Sequence, residues 1–165
     1  MGISHRARWI FTIINGEDMV TPHTEEYLEA ILRIACPHNN DKKAPCLAQG
    51  ANVEALDRSA CKVARPSEIA ELVGVSRPSV TTALQRMEQS GLITRDKKGV
   101  RLTDAGFLQA REVLRRHRVA ERFLINVLGL DTESVHDEAC VLEHAFSERV
   151  IDALESFVEK YEEEQ

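Results

Sequence analysis

The sequence predicts a mainly α-helical chain: a small helical module carrying one β-hairpin, then a longer all-α module. Three observations carry that reading. Apolar residues recur at helical spacing in separate stretches, most of them opened by a capping residue or proline and closed by glycine. One stretch, Leu92 to Leu102, instead reads as strand, turn and strand. Charge is also divided. The net value is −6, yet residues 65–118 hold 11 Lys and Arg against 6 Asp and Glu, while residues 119–165 hold 3 against 13. A basic middle and an acidic end point to two modules with different partners.

With 165 residues and 43% hydrophobic content the chain has enough for a core, and at 5% aromatics that core is aliphatic. No apolar run approaches the ~18 residues of a membrane span, so no membrane partner is expected. Met1–Asn15 places Arg6 and Arg8 before a short apolar run, Trp9–Ile14, but no small-residue cleavage site follows. The expected location is cytoplasmic. The four cysteines (Cys36, Cys46, Cys61, Cys140) have no regular spacing, so no disulfide framework is expected and reduced thiols fit the cytosol.

Residues 1–18 form an N-terminal extension of unknown role, and Met19 is an alternative start. Thr21 can cap and Pro22 suits a first helical position. Tyr27, Leu28, Ile31 and Leu32 then recur at helical spacing, predicting a helix over Pro22–Ala35. Residues 37–63 read as an inserted polar loop with a short helix near Val53–Ser59. Cys36, His38, Cys46 and Cys61 leave two readings open there, a plain loop or a second metal site such as zinc.

Pro66–Val73 reads as a short helix closed by Gly74, and Ser76 caps a second helix with Pro78 in its first turn. That helix turns Val80, Ala83, Leu84 and Met87 inward and Ser79, Thr82, Gln85, Arg86 and Gln89 outward. A small polar outer face with arginine distinguishes a helix-turn-helix from an ordinary helical hairpin. The hairpin after it, with Arg95, Lys97, Lys98 and Arg101 at and near its tip, reads as a wing able to meet phosphates. Thr103-Asp104 caps a long helix reaching about Leu128, closed by Gly129. Asp131 or Thr132 starts the next helix. Ser147 caps a last one with Val150, Ile151, Leu154, Phe157 and Val158 as its stripe, and Glu162-Glu163-Glu164 reads as a frayed tail. So small a helical core favours pairing with a second copy.

On the helix after Gly129, Cys140, Glu143 and His144 share one face at i, i+3, i+4, with His136 a turn earlier. His117 and Glu121 share a face of the long helix, and Glu26 and Glu29 lie at i, i+3 on the first. Carboxylates, imidazoles and one thiolate suit iron(II) or manganese(II), with zinc and cobalt also accommodated. The alternative for each group alone is a solvated helix face.

The runs Glu26-Tyr27-Leu28-Glu29, His117-Arg118-Val119-Ala120-Glu121-Arg122 and Gly129-Leu130-Asp131 through Val135 to Cys140, Glu143 and His144 resemble the diphtheria toxin repressor and manganese transport regulator family. The resemblance covers about residues 19–160 apart from the 37–63 loop. It implies a winged helix-turn-helix domain over 19–102, then a helical dimerisation and metal-binding domain over 103–165. It also implies a two-domain form without the SH3-like domain of longer relatives. An activating site would draw on Glu26, Cys140, Glu143 and His144, with Glu29 and His117 as in the manganese branch. An ancillary site would draw on His117, Glu121 and His136. The chain mixes branches: Glu26 stands where the iron branch has Met and the manganese branch Asp, whereas Cys140 follows the iron branch. Ser76, Arg77, Pro78, Ser79, Thr82 and Arg86 would face DNA, with Arg95, Lys97 and Lys98 on phosphates.

The implied function is a homodimeric, metal-gated repressor, not an enzyme, with manganese(II) or iron(II), one or two per subunit, as co-repressor. It would bind a palindromic double-stranded operator of metal-uptake genes and take no small-molecule substrate. A metalloenzyme would need a substrate pocket and nucleophile that the sequence does not signal. A regulator whose metal is purely structural, zinc for instance, is the remaining alternative.

Overall fold

The computed structural model describes residues 22–36, 53, 56–132 and 135–165. The elements are α1 (Pro22–Ala35), α2 (Pro66–Val73), α3 (Arg77–Gln89), β1 (Ile93–Asp96), β2 (Gly99–Leu102), α4 (Asp104–Arg122), α5 (Val135–Ala145) and α6 (Glu148–Glu163). The chain is mainly α, with a winged helix-turn-helix followed by helices, as expected. Residues 1–18, Met19, Thr21, His38 and Cys46 lie outside the described residues.

α1 spans the predicted bounds, and Tyr27, Leu28, Ile31 and Leu32 are buried. α2 opens with the Arg65 N–H donating to the Glu68 carboxylate (3.0 Å) and closes at Gly74, whose φ of 74° is the left-handed conformation that favours glycine. Ser76 caps α3, its hydroxyl accepting from the Ser79 N–H (3.3 Å). Across the hairpin, Ile93 faces Leu102 and Asp96 faces Gly99, and the Asp96 carboxylate accepts from the Lys98 (2.7 Å) and Gly99 (3.1 Å) N–H groups. Ala64 joins this sheet through a bridge to Val100, with bonds of 3.0 and 2.8 Å. No local periodicity signals that third pairing.

α4 is fastened to the wing at its start. The Thr103 hydroxyl donates to the Gly91 carbonyl (2.7 Å) and accepts from the Gly106 N–H (3.1 Å). Gly106 passes so close to Leu92 that a Cβ there would run into its carbonyl oxygen. Near its end the long helix widens into a π-turn over Phe123–Val127, where the Leu128 N–H reaches the Phe123 carbonyl (3.2 Å), before Gly129 closes it at φ 69°.

Three expectations are corrected. The helix after Gly129 begins at Val135, later than Asp131 or Thr132. The acidic tail is not frayed as far as Glu163, because the Glu162 carboxylate accepts from Arg122 (Nε, 3.1 Å) and Asn126 (Nδ2, 2.6 Å). Cys36 and Cys61 form a disulfide, with Cα atoms 4.7 Å apart, against the expectation of reduced thiols and against a metal role for those two. The Lys62 N–H donates to the Ala35 carbonyl (2.7 Å) and brings the segments together across a separation of 25 residues. Near the short helix expected at Val53–Ser59, Val53 lies in a 3₁₀ turn, the Leu56 N–H reaching its carbonyl (3.3 Å), and a further 3₁₀ turn spans Arg58–Ala60, capped by Asp57.

The main core joins α1 (Leu28, Ile31) to α2 and α3 (Ile69, Leu84), the hairpin (Ile93, Val100) and the first half of α4 (Phe107, Leu114). A smaller core joins Ala120 and Leu124 to Val135 and Ala139 of α5. α4 runs through both.

Gly106→Ala should destabilise the protein by about 2–3 kcal/mol, because the backbone it meets cannot yield as a side chain can. Urea unfolding reads this, and an unchanged midpoint would contradict the close approach. Reducing the Cys36–Cys61 bond removes a cross-link of 25-residue separation and should cost about 3 kcal/mol. Matching melting curves with and without dithiothreitol would refute that bond.

Candidate metal centre and nucleic-acid face

α1, α4 and α5 bring their polar faces together between the two apolar cores. On α4, His117 is completely buried. Its Nδ1 is hydrogen-bonded to the Glu143 carboxylate of α5 and lies 3.7 Å from the Cys140 sulfur, while its Nε2 is 3.0 Å from the Glu121 carboxylate one turn on. His136 reaches the same sulfur at 3.8 Å (Nε2) and Glu121 at 3.7 Å (Nδ1). From α1 comes Glu29, buried and paired with Arg33 at 2.7 Å. Glu143 is buried too, and its second oxygen lies 3.1 Å from His144 Nε2.

Two groups of donor atoms result, each within 4.8 Å of one another: His117, His136 and Cys140, and Glu29, His117 and Glu143. His117 belongs to both. Nitrogen, carboxylate oxygen and one sulfur form the mixed donor set that suits a first-row divalent cation, and buried carboxylates are costly unless a positive charge meets them. The residues therefore fit a metal.

The electrostatics follow from burial and partners. Burial pushes the Glu143 carboxyl up, and Glu29 adds to this, against a smaller opposing pull from His117. Burial would also raise Glu121, but His117 and His136 overcome it and hold that carboxyl down to about 2. For Cys140 burial again opposes ionisation, yet the same two imidazoles bring the thiol below its ordinary range.

Glu26 is not brought into this cluster. It is exposed on α1. Its neighbour Glu25 takes the inward place, 2.8 Å from His144 Nδ1 and 2.7 Å from Arg116 Nη2 of α4. Sequence reasoning missed both Glu25 and Arg116. The available signal was spacing: Glu25 lies at i, i+4 to Glu29 and Glu26 at i, i+3, so both fall beside the buried stripe and only packing chooses between them.

On the other module, Ser76, Arg77, Pro78, Ser79, Thr82 and Arg86 are all exposed along one end and face of α3. Lys97 and Lys98 are exposed at the tip of the hairpin. Arg95 is already paired, with its Nε 2.8 Å from the Glu88 carboxylate.

A winged helix-turn-helix joined to a helical module with a buried donor cluster defines a class: metal-responsive DNA-binding regulators. The sequence profile described as "Iron dependent repressor, metal binding and dimerisation domain" matches residues 103–165, and that of the Crp-like helix-turn-helix domain matches residues 56–111. An uncharacterized HTH-type transcriptional regulator of Methanocaldococcus jannaschii is 32% identical over 98 residues, covering 59% of this chain and 78% of the relative. The diphtheria toxin repressor of Corynebacterium diphtheriae is 41% identical over 85 residues, covering 51% of this chain and 38% of that protein. A manganese-dependent transcriptional repressor solved in complex with manganese superposes with a TM-score of 0.61 at 30% identity, covering 82% of this chain and 52% of that one. The chain thus spans about half or less of the length of the last two. It belongs to the diphtheria toxin repressor and manganese transport regulator family of metal-dependent transcriptional repressors, which are not enzymes.

In metal-free Cys46→Ser protein, the rate of Cys140 alkylation by iodoacetamide should titrate with a midpoint below that of an ordinary thiol. His136→Ala should move the midpoint up, since the thiolate loses a donor. A midpoint that ignores His136 would remove this account of the thiol.

Proposed function

We propose that the chain is a cytoplasmic, homodimeric repressor for which manganese(II) or iron(II) is the co-repressor, acting on a palindromic operator of metal-uptake genes. One observation carries this reading: Glu29, on the helix that packs with the DNA-binding module, shares a donor cluster with His117 and Glu143 of the helices beyond it. The ligands are Glu29, His117, Cys140, Glu143 and His144 for one ion, and His117, Glu121, His136 and Cys140 for a second. Glu26, exposed on the same helix as Glu29, would join only by turning inward. Domain boundaries at 19–102 and 103–165 go with this assignment.

A divalent ion bound there supplies the positive charge that offsets Glu29 and Glu143 and lets both helices share one coordination shell. The rest is the work of the chain. With Glu29 held against α4 and α5, α1 cannot shift relative to α4, and the helix-turn-helix packed on α1 takes one orientation. In a two-fold dimer that orientation fixes the separation of the two α3 helices, which must match half-sites about 34–36 Å apart or a multiple of it. The apolar face of α6, with Val150 and Phe157 exposed and Leu154 half-buried beside them, supports pairing with a second copy. Exposed Ser76, Ser79, Thr82 and Arg86 would read base edges, while Arg77, Lys97 and Lys98 would hold phosphates. Arg95 would have to exchange Glu88 for phosphate.

Duplexes selected from random DNA in the presence of manganese(II) provide the test. Wild type should bind them roughly 5–150-fold more tightly with manganese(II) or iron(II) than with chelator, with affinity falling steeply as salt rises. Equal affinity in chelator and in saturating metal would overturn the gating. Metal-dependent folding with metal-independent DNA affinity of the folded protein would instead favour a structural ion.

A further inference from the structure

Glu25 is the residue of α1 whose carboxylate meets the metal-ligand face through an intermediary. Both its oxygens are engaged across helix boundaries. Oε2 lies 2.8 Å from His144 Nδ1 on α5, and Oε1 lies 2.7 Å from Arg116 Nη2 on α4. The other terminal nitrogen of Arg116 donates to the backbone carbonyl of Glu143 (3.2 Å), one residue before His144. Glu25, Arg116 and the Glu143–His144 peptide thus form a closed relay over three helices. Its two charged side chains are mostly shielded, with 17% and 15% of their surface exposed.

The chemistry of the relay is directional. A carboxylate only accepts hydrogen bonds, so the proton between Glu25 and His144 is on Nδ1. That leaves Nε2, the nitrogen 3.1 Å from the Glu143 carboxylate, as the one turned to the donor cluster. A carboxylate behind a ligating imidazole fixes its tautomer and ring orientation and makes it a better donor. Arg116 keeps the carboxylate from swinging into the cluster, because its guanidinium is anchored on the α5 backbone.

We propose that Glu25, though not a ligand, is the positioning residue that presents His144 Nε2 to the metal and, through Arg116, ties that presentation to the docking of α1. This rests on the assignment of His144 as a ligand. It gives α1 two separate connections to the site: Glu29 to the shared donors, and Glu25 to the geometry of His144.

Metal affinity of the full chain separates the possibilities, with cobalt(II) read by its absorption and manganese(II) by competition with a fluorescent chelator. Glu25→Ala should weaken both metals by roughly 10–100-fold. Glu25→Gln, nearly the same in shape, should weaken them less, because its amide oxygen still accepts from Nδ1. In a His144→Ala background, Glu25→Ala should have no further effect, as expected of a residue that acts only through the imidazole. Wild-type affinity in Glu25→Ala, or an equal loss with and without His144, overturns the positioning role. Glu143→Ala serves as the control for the site. If it loses metal while Glu25→Ala keeps it, only the positioning role fails. If Glu143→Ala keeps wild-type affinity, the site assignment falls and this proposal falls with it.

Discussion

Glu29, His117 and Glu143 meet where two apolar cores leave a seam, and all three are buried. Two carboxylates in such surroundings are costly unless positive charge or hydrogen bonds compensate, and the protein supplies part of that compensation itself. Arg33 pairs with Glu29 from the same helix, and His117 bonds Glu143. What remains is a cluster that any added cation would relieve. The mixture of ligand types and the division of ligands between helices both follow from the placement of ionisable groups in a seam that would otherwise be apolar.

The seam exists because α4 serves two cores. Its first half, from Phe107 to Leu114, closes the core under the helix-turn-helix, and its end, with Ala120 and with Leu124 in the π-turn that continues it, closes the small core under α5. His117 falls between. A helix interrupted there would leave two unrelated modules, whereas a continuous one makes the donor cluster their common boundary. α6 then packs against the far end of α4 through Arg115, which meets Glu155 (2.5 Å) and Asp152 (2.9 Å), and through Arg122 on Glu162.

Much of this was legible because it is local. The bounds of α1 follow from Pro22 and a clear apolar stripe, the reversals at Gly74, Gly91 and Gly129 follow from glycine, and the face of α5 follows from the helical period. What escaped was decided by residues far apart in sequence. Glu25 and Glu26 flank the same stripe, and Arg116, 91 residues from Glu25, settles which is drawn inward. The order of the acidic tail depends on Arg122, 40 residues away. The Cys36–Cys61 bond and the bridge from Ala64 to Val100 depend on how residues 56–64 pack against α1 and the hairpin, which no window of sequence reports. The need for glycine at 106, inside a helix, comes from the approach of Leu92, which is tertiary.

The fastening of α4 to the wing through Thr103 and Gly106 gives the fold a mechanical ratio. Gly106 and His117 lie eleven residues apart on one helix, a lever arm of roughly 16 Å. With the short end clamped to the hairpin, a tilt of about 5° imposed at His117 carries through as a displacement of about 1.4 Å over that arm. A change of that size is large both for a metal–ligand bond and for a hydrogen bond to a base or phosphate, each of which tolerates a few tenths of an ångström. α4 therefore couples its two ends: under the proposed function, a tilt at the donor cluster reaches the winged helix-turn-helix as a change of fit and not as a local adjustment.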